Sequence, residues 1–207
     1  VATVLNLDEM NQMQLDVLKE LGNIGAGNAT TALSKILDAK VDMKVPKVEM
    51  VGFSEITNII ADEETIMTGI LLLLEGDVNG MMMFLLDMPS ARKLVNSMLS
   101  RDVESDDPTD FDDMELSALN EVGNIITGAY LSALSDLTRL TIVSSVPSLR
   151  IDMAASLLSI PAIEFGKVAD KVLLIDTEFD DLSTIKGYFV LVPDLESYEV
   201  MLKSLGL

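Results

Sequence analysis

The chain has 207 residues, 49% of them hydrophobic, enough to build one large domain or two small ones and too apolar for overall disorder. Fourteen Lys and Arg against 34 Asp and Glu give a net charge of −20, which argues against a nucleic-acid binder and against attraction to an anionic membrane surface. With no Cys and no His, disulfides, thiol chemistry, Fe–S clusters, the Ser-His-Asp triad and most zinc or haem sites are excluded. Any catalysis must run on carboxylates, amides, hydroxyls, Lys or Arg, or on groups that a partner supplies.

A long amphipathic helix is predicted first, over about Asp8 to Ala39, with Leu15, Leu18, Leu21, Ala29, Leu33 and Ile36 near a 3.6-residue stripe. A loosely alternating strand follows over 40–51, and Pro46 inside it demotes it to an edge or a bulge. Strands over 65–75 and 80–87 close around a turn and lead into a helix over 89–100. The acidic segment 101–113, with Asp106-Asp107-Pro108, reads as a joint. Beyond it the same order returns: a helix over 111–137, a strand over 140–151 containing Pro147, strands over 171–179 and 185–192, and a helix over 195–205. An extra helix is expected over 153–160. Leu71 to Leu74 reads as strand covered on both faces, and Met81-Met82-Met83 as core filler. The longest apolar runs, Ile70–Leu74 and Met81–Leu86, are strand-sized, so no membrane insertion is expected and the expected compartment is the cytoplasm.

The recurrence is a duplication. Shifting the sequence by 101 residues places Leu15–Pro46 on Leu116–Pro147 with 12 identities in 32 positions and no gap. Further on the offset becomes 107, with Gly80, Asp87, Ser90 and Ser97 falling on Gly187, Asp194, Ser197 and Ser204, so the second copy carries a net insertion of six residues. The expected fold is α/β (α+β): a single pseudo-twofold domain over 1–207, with repeats of about 8–100 and 111–207. A mainly antiparallel sheet is shared by both copies, with the two long helices side by side on one face.

On a helix, positions three and four apart share a face, so Asp16, Glu20 and Asn23 align, as do Ser117, Glu121 and Asn124. Both copies keep Glu and Asn while Lys19 becomes Asn120 and Lys35 becomes Asp136. Gly22 and Gly123 sit beside the Asn in mid-helix, where Gly costs about 1 kcal/mol relative to Ala, and they read as points of close approach for a docking partner. Gly27 and Gly128 read as tight helix–helix packing. The run Gly22–Gly27 is no phosphate-binding loop, because it lies inside a helical pattern and no Lys-Ser/Thr follows it. The Asp pairs 106–107 and 112–113 lack calcium-loop spacing.

Asp/Ser, three residues, Glu, two residues, Asn, then 22 residues and Pro resembles the signature of the CheC/CheX/FliY family of chemotaxis phosphatases. It occurs twice, as Asp16, Glu20, Asn23, Pro46 and as Ser117, Glu121, Asn124, Pro147. The run from Glu20 to Ala29 is most similar to the CheC branch, whose members are of this length and carry both copies. The resemblance implies hydrolysis of the aspartyl phosphate on the response regulator CheY. Asn23 and Asn124 would position the attacking water, Glu20 and Glu121 would dock on the regulator's Lys, and Pro46 and Pro147 would shape backbone. It implies no intrinsic cofactor, since the phosphorylated regulator supplies Mg²⁺, and it implies the receptor deamidase CheD as a further partner. A non-catalytic interaction module binding CheY or CheD is the competing reading, and a flagellar-switch structural protein is disfavoured by length.

Overall fold

Each copy contributes one hairpin to the middle of the sheet and sends its first strand to the far side. In the computed structural model, which describes residues 11–37, 40–101, 107, 109–165, 171–179 and 185–206, the first copy comprises α1 (Gln12–Leu37), β1 (Met43–Lys44), β2 (Val48–Gly52), α2 (Ile56–Ile60), β3 (Ile66–Gly76), β4 (Gly80–Asp87) and α3 (Met88–Leu99). The second comprises α4 (Asp113–Thr138), β5 (Ile142–Ser144), β6 (Ser148–Met153), α5 (Ala154–Phe165), β7 (Lys171–Phe179), β8 (Ile185–Pro193) and α6 (Leu195–Ser204). All described pairings are antiparallel, in the order β1-β7-β8-β4-β3-β5, with β2 also on β7 and β6 also on β3. The copies therefore exchange their first strands. At the centre β4 pairs with β8, and Met83 lies opposite Val190, 107 residues further on, so the pseudo-twofold axis implied by the sequence offset passes through this pair.

Alternation along the strands sorts the apolar residues into two clusters. Ile70, Leu72, Phe84, Leu173 and Phe189 face α1 and α4, whereas Met81, Met83, Leu85, Leu174 and Val190 face Ile56 and Ile60 of α2 and Leu157 and Leu158 of α5. The three consecutive Met are buried, as expected of filler, but Leu73 is 50% exposed because neither α2 nor α5 reaches that end of β3. The repeated Asp and Ser after the hairpins have a structural cause. Asp87 and Asp194 cap α3 and α6 by accepting from the N–H of Ser90 and Ser197. The hydroxyls then bind the other copy: Ser197 Oγ accepts from Asn79 N at 2.8 Å, and Ser90 Oγ from Lys186 N at 3.3 Å.

Several boundaries move for physical reasons. Asn11 caps α1 through a reciprocal pair with Gln14, at 3.0 and 2.9 Å, so the helix starts at Gln12, and the predicted residues 8–10 and 38–39 lie outside those described. Each first strand is split at its Pro. Between β1 and β2, Val45–Lys47 oppose only Asp176 and Thr177; between β5 and β6, Ser145–Pro147 oppose only Leu72 and Leu73. These are bulges, with one residue more on the Pro-bearing strand. The extra helix of the second copy runs on through Pro161 to Phe165, and its short counterpart α2 in the first copy had no signal in the periodicity. The joint is fastened at its second end: Arg92 of α3 bonds Glu115 at 2.8 Å and the carbonyl of Asp110, with its guanidinium 3.8 Å from the Phe111 ring centre.

Candidate functional site

α1 and α4 lie side by side on one face of the sheet, and each turns one stripe outward. Asp16, Glu20 and Asn23 are exposed on α1, and Ser117, Glu121 and Asn124 on α4, while Leu18, Leu21, Leu119 and Val122 are buried beneath them. Among the described residues, none forms a hydrogen bond or ion pair with the side chains of Glu20, Asn23, Glu121 or Asn124. Two carboxylates and two amides thus face solvent on the same side of the molecule. The supporting positions differ. Asp16 Oδ1 accepts from Gln12 Nε2 at 2.9 Å, whereas Ser117 Oγ donates to the carbonyl of Asp113 at 2.7 Å and turns back to its own helix. Among the described residues no group of three or more carboxylates converges closely enough to hold a metal ion.

Lys19 and Tyr130 matter more than their sequence suggests. Lys19, a freely varying polar position by comparison of the copies, donates from Nζ to the carbonyl of Pro46 at 2.9 Å and ties the motif helix to the bulge. Pro46 itself is exposed. Asn120, the counterpart of Lys19, has a buried Oδ1 that finds no partner among the described residues. Tyr130 supports the first stripe from below. Its ring packs on Gly25, its buried hydroxyl has no described partner, and burial pushes its phenol well above the ordinary tyrosine range. A cavity of about 30 Å³ lies beside it under Gly22, lined by Leu18, Leu21, Leu134, Ile175 and Leu191 among others.

The expectations for the glycines are corrected. Gly22 and Gly123 are buried and serve the interior: an added Cβ would lie 3.0 Å from the Tyr130 hydroxyl at Gly22 and 2.2 Å from Ile70 Cδ1 at Gly123. Neither offers an approach to a partner. Gly27 and Gly128, expected at a tight helix contact, have nothing within 4 Å of an added Cβ and are exposed.

The architecture defines the class first: a duplicated helix-and-sheet unit also seen in FliY of Thermotoga maritima (TM-score 0.76, 24% identity, covering 95% of this chain and 99% of that one). The FliM middle domain of H. pylori shares it at TM-score 0.69 and 13% identity, covering 94% and 99%. The CheC-like family model matches residues 13–50 and 114–151, the two motif-bearing segments. The CheY-P phosphatase CheC of Bacillus subtilis (strain 168) is 33% identical over 201 residues, 95% of this chain and 96% of that protein. The flagellar motor switch phosphatase FliY of the same organism is 29% identical over 129 residues, 62% of this chain and 33% of its own length. The chain belongs to the CheC-like family.

Proposed function

We propose that this protein hydrolyses the aspartyl phosphate of a CheY-type response regulator in the cytoplasm, with Glu20/Asn23 and Glu121/Asn124 as its two sites. Water attacks phosphorus, the bond from phosphorus to the aspartyl oxygen breaks, and the products are a free carboxylate and inorganic phosphate. The observation that carries the reading is the exposed, unpartnered Glu-x-x-Asn pair present in both copies of a chain whose relative is a CheY-P phosphatase. An acyl phosphate is already activated, so alignment of water is the main task left. A neutral amide can accept from and donate to one water and hold it in line without acting as a base. Glu20 and Glu121, a turn away, dock on a cation of the regulator. The regulator supplies its own Mg²⁺, and CheD is a second partner of the same protein.

The test is release of inorganic phosphate from a phosphorylated CheY-type regulator. Asn23→Ala and Asn124→Ala each lower activity partially, and together they reduce kcat by about 100-fold or more while regulator binding persists, because the amides act on the transition state. Glu20→Ala with Glu121→Ala weakens binding instead. Full activity in the double Asn variant would leave the interaction module as the better reading.

A further inference from the structure

We propose that Gly27 and Gly128 belong to the regulator-docking surface, as the points where the partner's backbone passes closest to each motif helix. The inference rests on the phosphatase reading and adds residues to it. At 100° per residue, Gly27 projects between Glu20 and Asn23 in azimuth and lies about 6 Å further along the axis than Asn23, and Gly128 has the same relation to Glu121 and Asn124. The two glycines therefore continue the outward stripes.

The other glycines of these helices have internal reasons to be glycine. Gly22 meets Val45 and Tyr130, Gly25 meets the Tyr130 ring, and Gly123 meets Ile70. Where the second copy has no such ring to accommodate, the counterpart of Gly25 is Ile126. Gly27 and Gly128 alone among the helix glycines have open space around the missing Cβ, and neither has a positive φ that would favour glycine. Both stand in mid-helix, where glycine weakens the helix, yet both copies keep it while the flanking pairs Ala26/Thr127 and Asn28/Ala129 differ. Among the described residues no contact accounts for that retention. A surface that must come within backbone distance of the helix does, and the phosphorylated loop of a regulator placed over Asn23 or Asn124 is such a surface. A methyl group there would lift the loop and carry the phosphorus away from the aligned water.

The experiment uses the full chain with Gly27→Ala, Gly128→Ala and both together. Three quantities are read: the thermal midpoint of the protein alone, the Kd for the regulator by calorimetry, and kcat/KM for phosphate release. Each substitution raises Tm by about 2–4 °C, since helix propensity improves and nothing clashes. The double variant binds the regulator at least ten-fold more weakly and loses at least ten-fold in kcat/KM. A role in fold stability alone would move Tm and leave the other two unchanged, and that result overturns the proposal, as does a fall in Tm. The outcome is independent of the assignment of the amides: failure of the double Asn variant to lose activity removes the mechanism, while the calorimetric Kd of the glycine variants still decides the docking surface.

Discussion

Gly22 and Gly123 occupy equivalent positions in the two copies, and alanine should affect them oppositely. In each case the helix gains about 1 kcal/mol of intrinsic propensity. At Gly123 the new Cβ would meet Ile70 Cδ1 at 2.2 Å, Cγ2 at 3.0 Å and Cγ1 at 3.1 Å. Ile70 is buried in the centre of β3 and three of its side-chain carbons lie within 3.1 Å of the new Cβ, so overpacking costs about 1–3 kcal/mol and Gly123→Ala is destabilising by about 1 kcal/mol net. At Gly22 the nearest atoms are the Tyr130 hydroxyl at 3.0 Å and Val45 Cγ1 at 3.3 Å, and the cavity of about 30 Å³ beside Tyr130 lets the closer of the two yield. Gly22→Ala should be neutral or stabilising by about 0.5 kcal/mol. For a chain of this size the two variants should differ by about 3–6 °C in thermal midpoint, with Gly123→Ala the lower. Calorimetric or circular-dichroism melts read this directly. Equal midpoints, or a lower one for Gly22→Ala, would refute the packing argument and with it the claim that the two stripes rest on different supports.

The remaining predictions concern stability. Arg92→Ala leaves Glu115, 4% exposed, as an unpaired carboxylate and removes the contact with Phe111, so urea unfolding should show a loss of about 3 kcal/mol; a loss below about 1 kcal/mol would mean water reaches Glu115. Asp176 on β7 has its carboxyl pKa raised by partial burial first, then by Glu49 and Glu178, against the lowering effect of Lys47 and Lys186. A carboxyl raised in the folded state weakens the fold above that pKa and no longer does so below the unfolded value near 3.9. Asp176→Asn should therefore stabilise at pH 7 by less than about 1 kcal/mol, since the group is half-exposed, and the gain should vanish as pH falls through about 4; a gain that grows on acidification would contradict the assigned cause.

The parts of the fold that were legible are those encoded locally. The 3.6-residue stripes located α1 and α4, the paired strands before each Asp-capped helix were plain, and the duplication predicted an axis that falls on Met83 and Val190. Partner choice was not encoded that way. Alternation in Val48–Gly52 or Ser148–Met153 states which face of a strand is covered but not which strand lies beside it, so the exchange of first strands between copies left no trace in the pattern. α2 is too short, at five residues, to show a period. Pro46 and Pro147 did announce an interruption, because a missing N–H disturbs a ladder whatever the neighbour.

The same division runs through the site. Glu20 with Asn23, and Glu121 with Asn124, could be placed together from spacing alone, since helix geometry fixes the face. What each glycine touches depends on residues as distant in sequence as Tyr130 and Ile70, and there the reading reversed: the glycines expected to meet a partner face the core, and those expected at a tight helix contact face water. The reversal sharpens the meaning of the duplication. Beneath the first stripe are Tyr130, a Lys19–Pro46 bond and a Val45 that is 3% exposed; beneath the second are Ile70 and an Asn120 whose buried Oδ1 has no partner among the described residues, and Val146, the counterpart of Val45, is 85% exposed. The copies have diverged at several internal contacts, such as Val45/Val146 and Gly25/Ile126, while they stay alike at Glu, Asn and the outward Gly and at the buried pairs Leu18/Leu119, Gly22/Gly123 and Leu33/Leu134. Packing at Val45/Val146 and Gly25/Ile126 is solved differently in each copy, whereas under the proposed function two sites that meet the same partner surface would present it with the same groups at the same spacing.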